Sequence, residues 1–234
     1  MIDLHSHILP QMDDGSRSTE ESLQMLTALA AQGVTDVAAT PHFYASENGP
    51  DRFLARRARS WQQLRPHLTA SLPRVHLGAE VLFFEGIAAF DGLPRLCLSG
   101  TDVLLLEMPF RPWSQRMLDE LLELADRPDV TVLLAHMERY LPYVAEPDWR
   151  RMARSGLYIQ SNADFFCGFS TRRKALRLLS EGRIHVLGTD CHNMERRAPR
   201  MDEAVRVIAR ALGDDTVQRL EEQARRLLKK GGAA

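Results

Sequence analysis

The sequence predicts an α/β chain built on a parallel sheet with helical crossovers. Short apolar runs recur at 2–4, 34–39, 75–79, 103–106, 130–135, 157–160 and 184–188. Each is too short for a helix and is bounded by Gly, Pro or polar residues, as buried strands are. Helical stretches lie between most of them, and that alternation builds parallel sheets. Seven strands in a row favour a closed or nearly closed barrel over a six-stranded open sheet, and the runs alone leave both open.

The elements follow in order. After the first run, Ser18-Thr19-Glu20-Glu21 matches a capping box, and Gly33 stands where a glycine ends the helix so begun. Further helices are predicted near 51–65, 114–126, 148–155, 171–181, 201–211 and 214–230. The stretch 45–51 holds Ser, Asn, Gly and Pro and reads as a loop. No internal repeat or linker interrupts the chain, so 1–234 is read as a single domain with a frayed tail at 229–234. The arginine-rich segments 52–59 and 225–230 fall on predicted helices and read as solvated faces.

Composition narrows the function. Thirty Lys+Arg stand against 31 Asp+Glu, a net charge of -1. Non-specific nucleic-acid binders need surplus positive charge, so this class is disfavoured. Hydrophobic residues make up 44%, enough for a sizeable core. Three cysteines without close pairing argue against a disulfide framework and fit a reducing, cytoplasmic setting. No apolar run approaches the roughly 18 residues of a membrane span. The opening MIDLHSHILP has neither a basic region nor a cleavage-like site, and is not read as a signal peptide.

Almost every predicted strand runs into a residue that ligates metals. The first leads to His5 and His7, the second to His42, the third to Glu80 and the fourth to Glu107. The fifth leads to His136, and the seventh to Asp190 and His192. Strand C-termini of a parallel barrel open on one face, where such folds carry their active sites. His5 and His7 are two apart, so their side chains share one face of a strand; Asp190 and His192 share that spacing. A lone histidine after a strand is more often a hydrogen-bonded structural group, but core packing does not explain the repetition. Glu107 follows four apolar residues, and a carboxylate there needs a partner. Three other histidines read as structural. His185, five residues before Asp190, faces the other side of its strand. His76 lies about 13 Å upstream of Glu80 at roughly 3.3 Å per residue. His67 follows Pro66 at a helix end.

Seven motifs in order carry a resemblance. They are Leu4-His5-Ser6-His7, Asp13-Asp14-Gly15, Thr40-Pro41-His42, Gly78-Ala79-Glu80, Glu107-Met108-Pro109, His136-Met137-Glu138-Arg139-Tyr140 and Thr189-Asp190-Cys191-His192-Asn193. Together they resemble the polymerase and histidinol phosphatase (PHP) superfamily, over residues 2 to about 200. The likeness is strongest to its bacterial manganese-dependent protein-tyrosine phosphatases of capsule and exopolysaccharide synthesis. The resemblance implies a distorted seven-stranded (β/α) barrel and a centre of three metal ions. It implies that His5, His7, Glu80 and Asp190 hold the first ion. Glu80, Glu107 and His136 would hold the second, and Asp14, His42 and His192 the third. Position along the chain singles out all of these except Asp14, for which Asp13 is an equal candidate. Mixed imidazole and carboxylate donors suit manganese, iron or zinc, and the resemblance implies manganese.

Hydrolysis of a phosphomonoester needs a nucleophile at neutral pH, and a metal lowers the pKa of water from roughly 16 to about 7. It also needs cations on the phosphoryl oxygens, where a guanidinium adds bidentate contacts. Arg139 and Arg197 lie just beyond His136 and His192 and match the resembled motifs, so both are assigned that task; the bland reading is an ion pair at a loop. Phe43, Tyr44, Phe83, Phe84, Phe110 and Trp113 follow ligand-bearing strands and could receive a phenyl ring, although core packing claims at least half of such residues. Cys167 and Arg173 fit C-x5-R, the phosphate loop of cysteine-dependent phosphatases. A two-residue pattern arises easily by chance and leaves the convergent ligands unexplained, so it reads as a decoy.

The function expected is removal of phosphate from protein phosphotyrosine. The resemblance implies the tail of a bacterial tyrosine kinase as partner. The competing readings are a small-molecule phosphatase such as histidinol-phosphate phosphatase, a phosphodiesterase or nuclease, and a non-catalytic metal-binding scaffold. Charge balance disfavours the nuclease, and the full ligand set with both arginines disfavours the scaffold.

Overall fold

A computed structural model describes residues 1–230. Nine short strands alternate with eight α-helices. In chain order they are β1 (Ile2–Ser6), α1 (Thr19–Ala31), β2 (Asp36–Ala39), β3 (His42–Phe43), α2 (Pro50–Leu64), β4 (Arg74–Leu77), β5 (Glu80–Leu82) and β6 (Val103–Glu107). Then come α3 (Gln115–Ala125), β7 (Thr131–Leu134), α4 (Glu146–Met152), β8 (Tyr158–Asn162), α5 (Ala163–Cys167), α6 (Arg172–Ser180), β9 (Val186–Gly188), α7 (Met201–Leu212) and α8 (Asp214–Leu227). The start of α1 departs slightly from a capping box. Ser18 Oγ accepts from Glu21 N at 3.2 Å, but the Glu21 carboxylate accepts from Arg17 N, not from Ser18. Gly33, at φ +78°, ends the helix in the left-handed region that glycine tolerates.

Every strand pairing is parallel. The strands form a three-stranded sheet, β1-β2-β4, and a curled six-stranded sheet, β3-β5-β6-β7-β8-β9. The expected count of seven strands in one sheet is therefore replaced by nine in two. Two of the seven runs break at their ends. Pro41 has no N–H to continue β2, and the chain restarts as β3 at His42. The other break follows β4 at Gly78-Ala79, where a Cβ on Gly78 would come within 2.5 Å of Leu98. Both restarts carry a ligand type, and His42 pairs in register with Glu80. The two sheets also meet through β1 and the segment after β9. Asp190 N donates to His5 O at 2.7 Å, and His7 N to Cys191 O at 2.9 Å.

Period two sorts the buried side chains. Leu104 and Leu106 of β6 join the large core under the helices, and Val103 and Leu105 join a smaller one with Leu4, Leu133, Val186 and Leu227. Glu107 continues the Val103–Leu105 side. Within the expected tail at 229–234, Lys230 Nζ donates to Thr131 Oγ1 at 2.6 Å. Residues 231–234 lie outside the described residues. Among the described residues no helix is long and apolar enough to cross a membrane.

Candidate metal centre

Parallel pairing places the C-terminal ends of the strands on one face, and there the ligand types converge. His5 and His7 leave β1 with their Nε2 atoms 3.2 Å apart. Glu80 Oε2 lies 3.3 Å from both, and Asp190 Oδ1 at 3.5 and 3.4 Å. His136 Nε2 is 2.9 Å from Glu80 Oε1 and 3.4 Å from Glu107 Oε1. Asp14 Oδ1 is 3.5 Å from His42 Nε2 and 3.2 Å from His192 Nε2. All nine residues singled out as ligands thus meet at one place. Three overlapping groups keep their donor atoms within 4.8 Å: His7, Asp14, His42 and His192; His5, His7 and Asp190; and His42, Glu80 and Glu107. The grouping is more shared than the expected three sets, since His7 and His42 each belong to two.

The donors fit a cation better than they fit one another. His42 Nδ1 lies 2.9 Å from Glu80 Oε2, yet off the axis a hydrogen bond needs. Both atoms, with His192 Nε2, are buried without a hydrogen-bond partner. Crowded, desolvated lone pairs are costly unless a charge satisfies them. Burial pushes the His7 imidazole down, but Asp13 and the surrounding carboxylates outweigh it and hold its pKa well above the usual range. Against the same desolvation, Glu107 and Glu80 hold His136 up at about 9. Burial and then the charge of His7 bring His192 down to about 4. Burial favours neutral Glu80 and Asp190, but the nearby imidazoles, His5 first, hold both well below the carboxylate range. The ionised carboxylates hold protons on His7 and His136, positions where a bound cation would take the protons' place.

The backbone is strained here as well. Among the described residues only three non-glycines have positive φ, and two are His136 (φ 27°) and Asp190 (φ 51°). Such conformations cost about 1–3 kcal/mol each and cluster at functional sites.

Asp13 and Asp14, inseparable in the sequence, take different places. Asp13 accepts from His7 Nδ1 at 2.7 Å and from His42 N at 2.9 Å, so it orients two ligands from behind. Asp14 faces the cluster and is 66% exposed. A Cβ on Gly15 would come within 2.5 Å of His7, which is why a glycine closes this turn.

Sequence reasoning missed a polar layer on β8, the strand of the run at 157–160, which leads to no ligand. Gln160 Oε1 accepts from His136 N at 2.7 Å and lies 3.3 Å from His5 Nδ1. Its amide donates to Asn162 Oδ1, and Asn162 Nδ2 donates to Asp190 Oδ2 at 2.9 Å. Glu138 accepts from Ser161 Oγ and Asn162 N. The available signal was the run Gln160-Ser161-Asn162 ending an otherwise apolar strand, since buried polar groups need partners.

Arg139 Nη2 donates to Asp190 Oδ2 at 2.7 Å, and Arg197 Nη2 lies 2.6 Å from Asp190 Oδ1. Both arginines stand at the rim, about one-third exposed (36% and 35%). Arg139 also lies over the Phe110 ring at 5.4 Å. Of the six aromatic candidates, Phe43 and Phe83 are buried core residues. Phe110 is 45% exposed beside His136, and Tyr44 stacks on His42. His76 accepts no metal role: it contacts Asp36, and His185 Nδ1 accepts from Ile159 N.

Known proteins share this chain's plan from end to end. The model of the capsular polysaccharide synthesis CpsB/CapC family matches residues 1–229. Tyrosine-protein phosphatase YwqE of Bacillus subtilis (strain 168) is 29% identical, over 98% of this chain and 92% of that protein. Tyrosine-protein phosphatase CpsB of Streptococcus pneumoniae is 28% identical, over 91% of each. A solved structure from work on YwqE and CpsB, described as metal-dependent tyrosine phosphatases, superposes with a TM-score of 0.82 at 25% identity, covering 98% of this chain and 95% of that one. A Listeria monocytogenes structure named for histidinol phosphatase, hisK, shares the fold at a TM-score of 0.52 and 13% identity, over 82% of this chain and 95% of that one. The chain belongs to the capsular polysaccharide synthesis CpsB/CapC family.

Proposed function

We propose that this chain is a metal-dependent protein-tyrosine phosphatase, acting in the cytoplasm on the tail of a bacterial tyrosine kinase. The observation that carries this reading is the meeting of nine ligand-type side chains with two rim guanidiniums, Arg139 and Arg197. The relatives' names support phosphotyrosine as substrate. The two sheets are read as the distorted seven-stranded barrel of the PHP fold, with β2–β3 and β4–β5 as two interrupted passes. The β1 bonds to Asp190 and Cys191 support that reading.

The donor set suits up to three ions, with manganese as the metal. His5, His7, Glu80 and Asp190 would hold the first, Glu80, Glu107 and His136 the second, and Asp14, His42 and His192 the third. Bound ions supply Lewis acidity and a nucleophile at neutral pH. The chain's own residues do the rest. Arg139 and Arg197 bind the phosphoryl oxygens and fix their orientation through planar, bidentate donors. Asp190 holds both guanidiniums over the cluster. Asp13 fixes the His7 ring so that Nε2 faces inward. Phe110 and Tyr44 offer apolar faces to a phenyl ring.

Turnover of a phosphotyrosine peptide, histidinol phosphate and bis-para-nitrophenyl phosphate separates the readings. The peptide is expected to have the highest kcat/KM. Preference for histidinol phosphate would overturn the protein substrate, and hydrolysis of the diester alone would overturn the monoesterase.

A further inference from the structure

A concavity of about 350 Å3 is lined by residues that follow the ligands Glu80 and Glu107 in the chain. Phe83, Phe84, Pro109, Pro112 and Met117 give it apolar walls, and Arg111 stands at its edge. Its walls continue the two strands that carry acidic ligands. Phe83 lies three residues past Glu80, and Pro109 two past Glu107, so at roughly 3.3 Å per residue these walls start within about 10 Å of the two acidic ligands along the chain. Phe83 N donates to Glu107 O at 2.8 Å, which ties one wall to the ligand itself.

The charges around it are unequal. The acidic lining residue, Glu85, pairs with Arg116 at 3.7 Å. Arg111 is exposed and makes no ion pair among the described residues. A second hollow, of about 270 Å3, opens beside His42 and is lined by Asp14, Glu47 and Asn48, while its one arginine, Arg56, is bound to Met12 O at 2.7 Å. A chain crossing the mouth would therefore meet carboxylates near one hollow and an apolar slot with an unpaired guanidinium at the other.

We propose that the slot beside Arg111 is a subsite for residues flanking the phosphotyrosine. It takes an apolar side chain, with an acidic neighbour reaching Arg111. This rests on the phosphotyrosine reading above and adds a sequence preference to it. About 10 Å is the span of roughly three extended residues, which sets the distance of the apolar residue from the phosphotyrosine.

Peptides of equal length test it, with Leu-Glu, Leu-Lys or Ala-Ala placed two to three residues before or after phosphotyrosine. Each kcat/KM is divided by that for free phosphotyrosine. One placement of Leu-Glu is expected to exceed Ala-Ala by about tenfold, the scale of burying one aliphatic side chain. Leu-Lys in the same place should fall below Leu-Glu, and Arg111→Glu should reverse that order. Equal turnover of all peptides, or an unchanged Glu-over-Lys preference in Arg111→Glu, would overturn the subsite and leave the phosphatase reading standing. Failure to hydrolyse any phosphotyrosine substrate while another phosphomonoester is turned over would remove the reading beneath it, and the subsite with it.

Discussion

The metal cluster gathers beyond the strand C-termini and the Cys167 loop joins α5 to α6, yet both have the composition of a phosphatase site. They differ in what folding does to them. The cluster gathers side chains from distant segments, and several of its buried atoms are left without hydrogen-bond partners. The Cys167 loop is satisfied within itself. Cys167 Sγ donates to Ala163 O, and Arg172 gives its guanidinium to the Phe166 and Cys167 carbonyls. The amides of Gly168, Thr171 and Arg172 go to helix-end carbonyls rather than to an anion cradle. Unmet bonding capacity in a buried place, and not local spacing, separates a reactive site from a lookalike.

The comparison breaks most sharply if the ions are removed. A chelator is expected to take para-nitrophenyl phosphate turnover to background, with recovery on adding manganese. Glu80→Gln should act the same way without recovery, because Glu80 touches His5, His7, His42 and His136. Elemental analysis should show loss of metal alongside loss of rate. Full activity after thorough demetallation would transfer the chemistry away from the cluster.

The arginines come next. Removing one preorganised donor typically costs about 10²–10³ in rate, or roughly 3–4 kcal/mol. Arg139→Ala and Arg197→Ala should each lose that much kcat/KM on a phosphotyrosine peptide while keeping near wild-type metal. Lysine retains charge but not the planar fork, so Arg→Lys should recover only part. Both residues contact Asp190, so metal content decides the case: if it falls with the rate, they act by holding a ligand and not the phosphoryl group.

A smaller effect is expected from β8. With Gln160 Oε1 near His5 Nδ1 and bonded to His136 N, it favours the His5 tautomer whose Nε2 faces the cluster. Loss of such an outer partner typically costs about 10–100-fold in metal affinity. Gln160→Leu should weaken manganese binding by that factor in titration calorimetry, and Gln160→Glu, which keeps the acceptor, should restore most of it. Equal weakening by both would reduce Gln160 to a packing role.

What the sequence disclosed follows from the range of each interaction. The strand runs were legible because burial on both faces leaves a continuous apolar string, and the ligands because they stand at its ends. Apolar patterning does not show the breaks at Pro41 and Gly78, which turn seven expected strands into nine in two sheets. Asp13 and Asp14 could not be separated, because one turn decides which faces the cluster and which supports His7. Gln160 and Asn162 went unread because their partners, His136 and Asp190, lie on other strands. Phe43 shows the opposite failure: adjacency to a ligand strand puts it near the mouth in sequence, but its side chain is buried in the core.

The smallest effect is expected at Cys167, and it is the most direct comparison of the two regions. A thiolate nucleophile needs a lowered pKa and an anion-binding surround. Burial does the reverse here and pushes the Cys167 thiol up to about 12, against the partial relief that Arg200 gives. At neutral pH it stays a thiol. Cys167→Ser keeps a donor for the Ala163 carbonyl in place of the sulfur, so its cost falls on packing and is modest. The variant should retain most of its turnover of phosphotyrosine peptide, hold wild-type metal, and trap no phosphocysteine on rapid acid quench. Collapse of turnover with the metals in place would reverse the reading of both regions, making the thiol the nucleophile and the nine converging ligands its support.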